Sequence, residues 1–150
     1  MVTTSKKILD QLPYGKSFLF VDELLHLDEN GAKGTYTYHE DLPFYEAHFK
    51  NAPITPAVIL IETMAQIGLV CLGFFLIENT KTDQNISLAM TSNAIDFLKP
   101  VYPGEKVWVT SEKVYFRFNK LSCKVKMENA LGEIVCKGNI SGMLISKAHE

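Results

Sequence analysis

Cysteine is scarce in this chain, and what there is lacks any useful spacing. Cys71, Cys123 and Cys136 are odd in number, lie far apart and form no C-x-x-C. That argues against a disulfide framework or a zinc site and points to a reducing, cytoplasmic compartment. A block of like charge is also missing, and the net charge is −2. Neither nucleic acid nor an anionic membrane surface is therefore expected as a partner. Repeats, linkers and low-complexity tracts are absent, so residues 1–150 read as one domain. The N-terminal Met-Val-Thr-Thr-Ser-Lys-Lys is polar and no apolar run follows it, so no signal peptide is expected.

What is present is enough apolar material for a core. Hydrophobic residues make up 47% and charged residues 21%, the balance of a folded globular protein. Residues 56–77 form an apolar run long enough to span a bilayer. Glu62, Thr63 and Gln66 interrupt it, and Lys or Arg does not flank it closely on both sides. The rest of the chain reads as amphipathic strands, so the run is assigned to the buried core helix of a soluble protein rather than to a membrane.

The order of elements follows from local signals. Residues 5–11 read as a short helical turn with Ser5 at its start, ended by Leu12-Pro13. Phe18 to Asp28 reads as a first strand, Glu29-Asn30-Gly31 as a hairpin turn and Ala32 to His39 as the returning strand. A long loop, 40–55, leads to Thr55-Pro56, where threonine is expected to cap a helix and proline to occupy its first position. That helix is expected to run to about Glu78, with Asn79 ending it. From Gln84 onward the chain reads as strands: 86–98, 106–118, 121–128 and 133–145. One long helix covered by a curved antiparallel sheet of about six strands is an α+β architecture.

Chemistry concentrates in residues 44–66. His48 lies in a loop stiffened by Pro53 and Pro56, and Glu62 lies on the apolar helix. Histidine titrates near neutrality and suits a general base. A carboxyl in apolar surroundings stays protonated to higher pH and suits a general acid. A helix start supplies free N–H groups for a developing oxyanion. The bland readings are a loop histidine bonded to backbone, and an acid on a polar stripe that Glu62 shares with Gln66 one turn on. Gln66 is read as a supporting residue that bonds Glu62 or braces the loop, Tyr14 as packing against the central helix rather than lining the site, Cys71 as core, and Asp96, His26, His39 and His149 receive no role.

The stretch His48-Phe49-x-x-x-Pro53-x-x-Pro56 is followed by Glu62, fourteen residues after the histidine, and by Ala65-Gln66. Leu12-Pro13 with Phe18-Leu19-Phe20-Val21-Asp22 precedes it, and Asn93-Ala94-Ile95-Asp96-Phe97-x-x-Pro100-Val101-x-Pro103-Gly104 follows. In this order the motifs resemble the 3-hydroxyacyl-acyl-carrier-protein dehydratases of the FabZ/FabA type, and the resemblance covers most of the chain. Four positions depart from the pattern. Lys50-Asn51 replaces Pro-Gly, Ala57 replaces glycine, Tyr14 replaces histidine, and Leu98-Lys99 replaces a basic pair.

The resemblance implies a hotdog fold, with one long central helix wrapped by the sheet. It implies dehydration of a 3-hydroxyacyl thioester on acyl carrier protein to the trans-2-enoyl product, with His48 as base and Glu62 as acid. The backbone N–H of Ala57 would be the oxyanion donor, with Phe49, Pro56 and Gln66 around the substrate. No metal or organic cofactor is needed. A homodimer is implied, or a trimer of dimers, in which each site pairs the histidine of one subunit with the acid of the other. Lys50, Lys99, Arg117 and Lys120 are candidates for meeting an acidic carrier protein. Three questions stay open on sequence alone: whether the chain is instead a hotdog thioesterase, whether it is a non-catalytic acyl-binding relative, and whether it serves fatty acid or polyene-type synthesis.

Overall fold

A computed structural model describes residues 4–80 and 86–146. The chain opens with a short helix, α1 (Thr4–Gln11), whose Ile8 is fully buried. A hairpin of β1 (Glu23–Asp28) and β2 (Gly31–Thr37) follows. Its turn is fixed by Asp28, whose carboxylate accepts from the Asn30 and Gly31 N–H groups.

The central helix is built from α2 (Ala57–Met64), a π-helical turn (Ala65–Val70) and α3 (Cys71–Thr80). It therefore continues past Asn79, where the sequence predicts its end. After it come β3 (Ile86–Phe97), β4 (Lys106–Arg117), β5 (Lys120–Glu128) and β6 (Ile134–Ser146). The predicted start of strand structure at Gln84 lies outside the described residues.

All six strands pair antiparallel in the order β1-β2-β4-β5-β6-β3. Strand alternation makes one sheet face apolar. On β5, Leu121, Cys123, Val125 and Met127 are buried while Lys124 and Lys126 point out. Val107 and Val109 of β4 and Ile140 of β6 extend that face. Leu60, Met64, Ile67, Leu69 and Leu72 of the central helix fill it from the other side. Gly68 lets the helix lie close: a Cβ there would stand 2.9 Å from the Ser111 Cβ and 3.1 Å from a Val125 methyl.

The apolar run is thus used as core. Ala57–Glu78 is long and apolar enough to cross a membrane, yet 67% of its most apolar window is buried within the fold. The three cysteines are free and buried. Burial pushes the Cys71 thiol up to about 12, which makes it an inert core group rather than a nucleophile.

Two boundaries differ from the sequence reading for a physical reason. The first strand begins at Glu23 rather than Phe18, and Lys16–Phe18 forms a 3₁₀ turn instead. Backbone groups of Phe18 and Phe20 bond to the Gln66 side chain, which replaces the ladder a strand would need. The helix is not capped by Thr55. Pro56 holds the cap position, no side chain caps it, and Ala57 is the first helical residue.

β3 closes one end of the sheet and, among the described residues, hydrogen-bonds to β6 alone. Its residues 90–94 and 96–97 are exposed on both faces, Met90 and Phe97 among them.

Candidate active site

The loop between β2 and the central helix is wound tightly around His48. The 3₁₀ turn Pro43–Glu46 leads in, and the His48 N–H donates to the Phe44 carbonyl at 3.0 Å. The His48 carbonyl accepts from Ile54 N–H at 2.8 Å, and His48 Nδ1 lies 3.0 Å from the Ile54 carbonyl oxygen. A carbonyl only accepts, so Nδ1 carries the proton and Nε2 of the neutral ring keeps its lone pair. Phe49 stacks on the imidazole at 4.2 Å between centroids with 23° between planes.

Between Phe49 and Ala52 the chain makes a reciprocal pair of backbone bonds, 3.2 and 3.0 Å. Asn51 sits inside that turn at φ 62°, in the left-handed region. Asparagine tolerates that region better than other residues with a side chain. The exchange of Pro-Gly for Lys50-Asn51 therefore keeps a workable turn.

At the helix start, Thr55 N–H donates to the Val101 carbonyl at 2.9 Å, and its hydroxyl bonds to the Tyr45 hydroxyl. The Pro56 carbonyl accepts from Ile59 and Leu60 N–H at 3.0 and 3.2 Å. Among the described residues, no hydrogen-bond acceptor meets the N–H of Ala57 or Val58. A cavity of about 390 Å³ opens here, lined by His48, Phe49, Ile54, Thr55, Ala57 and Leu60 on one side. Phe97, Leu98, Lys99 and Pro100, from the end of β3 and beyond, complete it. A second cavity, about 420 Å³, is lined by Glu40, Asp41, Glu46 and neighbours; it holds neither His48 nor the free helix start, and it repels an acidic ligand.

Glu62 lies elsewhere and does not line the histidine cavity. Desolvation raises its pKa, opposed by a hydrogen bond from Gln66. Gln66 is fully buried and uses its whole amide: Nε2 donates to Glu62 Oε2 at 3.0 Å and to the Phe18 carbonyl at 2.9 Å, and Oε1 accepts from Phe20 N–H at 2.7 Å. Tyr14 stands nearby, its phenol pushed up by burial first and then by the Glu62 carboxylate.

Of the sequence-predicted site residues, the structure brings His48, Phe49 and Ala57 into one cavity and Glu62 with Gln66 into a separate group. Pro56 serves as the cap position beside Ala57. Phe97, Leu98 and Leu60 line the cavity without having been singled out as site residues; an apolar residue at a strand end or on a helix gives no sequence signal of that. Tyr45 was missed as well, although a buried tyrosine needs a hydroxyl partner and Thr55 supplies one.

A long helix enclosed by a six-stranded antiparallel sheet is the hotdog fold. The sequence profile of the FabA-like domain matches residues 12–140, and the chain belongs to that family. The 3-hydroxyacyl-[acyl-carrier-protein] dehydratase FabZ of Sinorhizobium fredii (strain NBRC 101917 / NGR234) is 34% identical over 145 residues, covering 95% of this chain and 90% of that protein. FabZ of Rhizobium etli (strain CIAT 652) is 34% identical over 144 residues, covering 94% and 88%. Among solved structures, the dehydratase heterocomplex ApeI:P from Xenorhabdus doucetiae shares the fold with a TM-score of 0.79 at 13% identity, covering 94% of this chain and 92% of that one. A hypothetical thioesterase with coenzyme A from Streptococcus pneumoniae TIGR4 has a TM-score of 0.60 at 14% identity, covering 83% and 85%.

Proposed function

We propose that this chain dehydrates 3-hydroxyacyl thioesters held on acyl carrier protein to the trans-2-enoyl thioesters, as a hydro-lyase of fatty acid biosynthesis. The observation that carries this reading is the shared cavity of His48 and Ala57. His48, whose Nδ1 is engaged by the Ile54 carbonyl, and Ala57, whose N–H meets no acceptor among the described residues, line one cavity.

The steps follow from those groups. His48 Nε2 takes a proton from the carbon next to the thioester carbonyl. The C–H electron pair moves toward the carbonyl, and the Ala57 N–H stabilises the oxygen that gains charge. The C–OH bond breaks as the Glu62 carboxyl, whose pKa desolvation raises against the Gln66 bond that lowers it, gives its proton to the departing hydroxyl. Water and the enoyl thioester leave, and the imidazolium proton passes back to the carboxylate.

His48 and Glu62 act in this scheme from two subunits of a homodimer. Three features support that arrangement. Glu62 is outside the His48 cavity, β3 offers an unpaired edge, and Val58 at the helix start is 69% exposed. Lys50, exposed on the turn beside His48, is positively charged where an acidic carrier would arrive. A cytoplasmic location fits three free, buried thiols.

The test is turnover of a 3-hydroxyacyl-carrier-protein, followed by enoyl formation, alongside hydration of the enoyl thioester in reverse. Enoyl formation with no free thiol is expected. Thiol release without enoyl product would instead make the chain a thioesterase, and acyl binding without turnover would make it a binding protein. A monomer in sedimentation under turnover conditions would reject the shared site.

A further inference from the structure

Thr55 lies two residues before Ala57, where a threonine hydroxyl ordinarily turns back to accept a hydrogen bond from the N–H two or three positions on. It does not do so here. Its hydroxyl is bonded to the hydroxyl of Tyr45, and both side chains are buried. Tyr45 belongs to the turn that leads into His48, so the bond ties the histidine loop to the helix start. Thr55 is also fixed through its backbone, by the bond from its N–H to Val101. Threonine is stiff at χ1, so a hydroxyl committed to Tyr45 is withheld from the helix.

We propose that Tyr45 is a positioning residue of the dehydratase site: by holding the Thr55 hydroxyl, it keeps the Ala57 N–H uncapped and ready for the thioester oxygen. The inference rests on the role given above to Ala57. Burial raises the Tyr45 phenol above its ordinary value, against the Thr55 hydrogen bond that lowers it. Without it, Thr55 becomes a capping residue. The N–H must then give up that bond before it stabilises an oxyanion, and the cost falls on the chemical step.

Two variants of the full chain decide the matter, Tyr45→Phe and the double variant Tyr45→Phe/Thr55→Val. Tyr45→Phe is expected to lower kcat on the order of tenfold with KM little changed, since a cap bond of ordinary strength must be broken. The double variant has no hydroxyl left to cap Ala57 and is expected to recover most of that kcat, while its thermal unfolding midpoint stays no higher than that of Tyr45→Phe. A merely structural role for Tyr45 gives no such rescue. Hydrogen exchange at the Ala57 amide reads the same contact without turnover. It should be fast in the unaltered chain, slower in Tyr45→Phe and fast again in the double variant. Where Tyr45→Phe does not fold, Thr55→Asn supplies a stronger capping side chain, and slower Ala57 exchange with lower kcat is expected. Unchanged Ala57 exchange and unchanged kcat in the folded variant overturn the inference. Failure of the unaltered chain to dehydrate any thioester, with the exchange pattern intact, overturns the assigned reaction and leaves the Tyr45–Thr55 hold in place.

Discussion

In the proposed dehydratase site, the His48 end and the Glu62 end are held in different ways. Around His48 the bonds are local and mostly backbone: Phe44, Ile54 and Ala52 lie within ten residues of the histidine or its neighbour. Around Glu62 one buried side-chain amide, Gln66, ties the carboxyl to Phe20 and Phe18, which lie 46 and 48 residues before Gln66. In the proposed reaction the base must present one particular nitrogen, and a backbone carbonyl fixes the tautomer at little entropic cost. An acid must be aimed and kept partly dry, and that takes distant parts of the fold. The two ends should therefore fail differently. Damage to the first should remove rate, and damage to the second should disturb rate, pH response and stability together.

The largest effect is expected for His48→Ala, which should lower kcat by about 10³-fold or more with no change in unfolding temperature beyond a loop substitution. A fall in stability as large as the fall in rate would erase the contrast between the two ends. Glu62→Gln should come next, lowering kcat on the order of 10²-fold. It should also flatten the pH dependence of stability. A carboxyl whose folded pKa is raised binds its proton more tightly when folded, so stability is full below the unfolded pKa and falls as pH rises through the folded one. Urea unfolding across that range should show the slope in the unaltered chain and not in Glu62→Gln.

A more moderate effect is expected at Gln66, and it sharpens the comparison. Its bond to Glu62 lowers the acid's pKa, so Gln66→Met should move the alkaline limb of the rate profile to higher pH. The same change strands the Phe18 carbonyl and Phe20 N–H and should cost about 2–4 kcal/mol of stability. An alkaline limb that stays in place would separate Gln66 from the acid. The smallest effect belongs to the turn beside His48. Asn51→Ala should cost about 1 kcal/mol at a positive φ, and Asn51→Gly should cost nothing, both with kcat near the starting value.

How legible each end was in the sequence follows the same division. His48, the hairpin at Asn30-Gly31 and the long helix announce themselves in local spacing. The α+β plan with about six strands followed from alternation, and the sheet has six. For Gln66 the sequence left two readings, a bond to Glu62 one turn away or a brace for the loop, and the structure has the first, at 3.0 Å. What spacing did not disclose was the second half of that amide's work. It takes the backbone of Phe18 and Phe20 and so shortens the predicted first strand. The cap at Thr55 was misjudged for a similar reason, because its competitor, Tyr45, is a tertiary neighbour. The π turn at Ala65–Val70 had no local signal at all.

That π turn has a consequence for the angular phase of the helix. The Cys71 N–H reaches back five residues to the Gln66 carbonyl, so the rod contains one residue more than a plain α-helix would hold there. One residue is worth about 100° of rotation. The helix is thus two rods in series with their faces turned against each other. One is clocked so that Glu62 and Gln66 share a side, and the other so that Leu72 and Leu76 meet the core. Deleting one residue from 65–70 would make the helix regular and put the two rods out of step: a correct acid over a misdirected core, or the reverse.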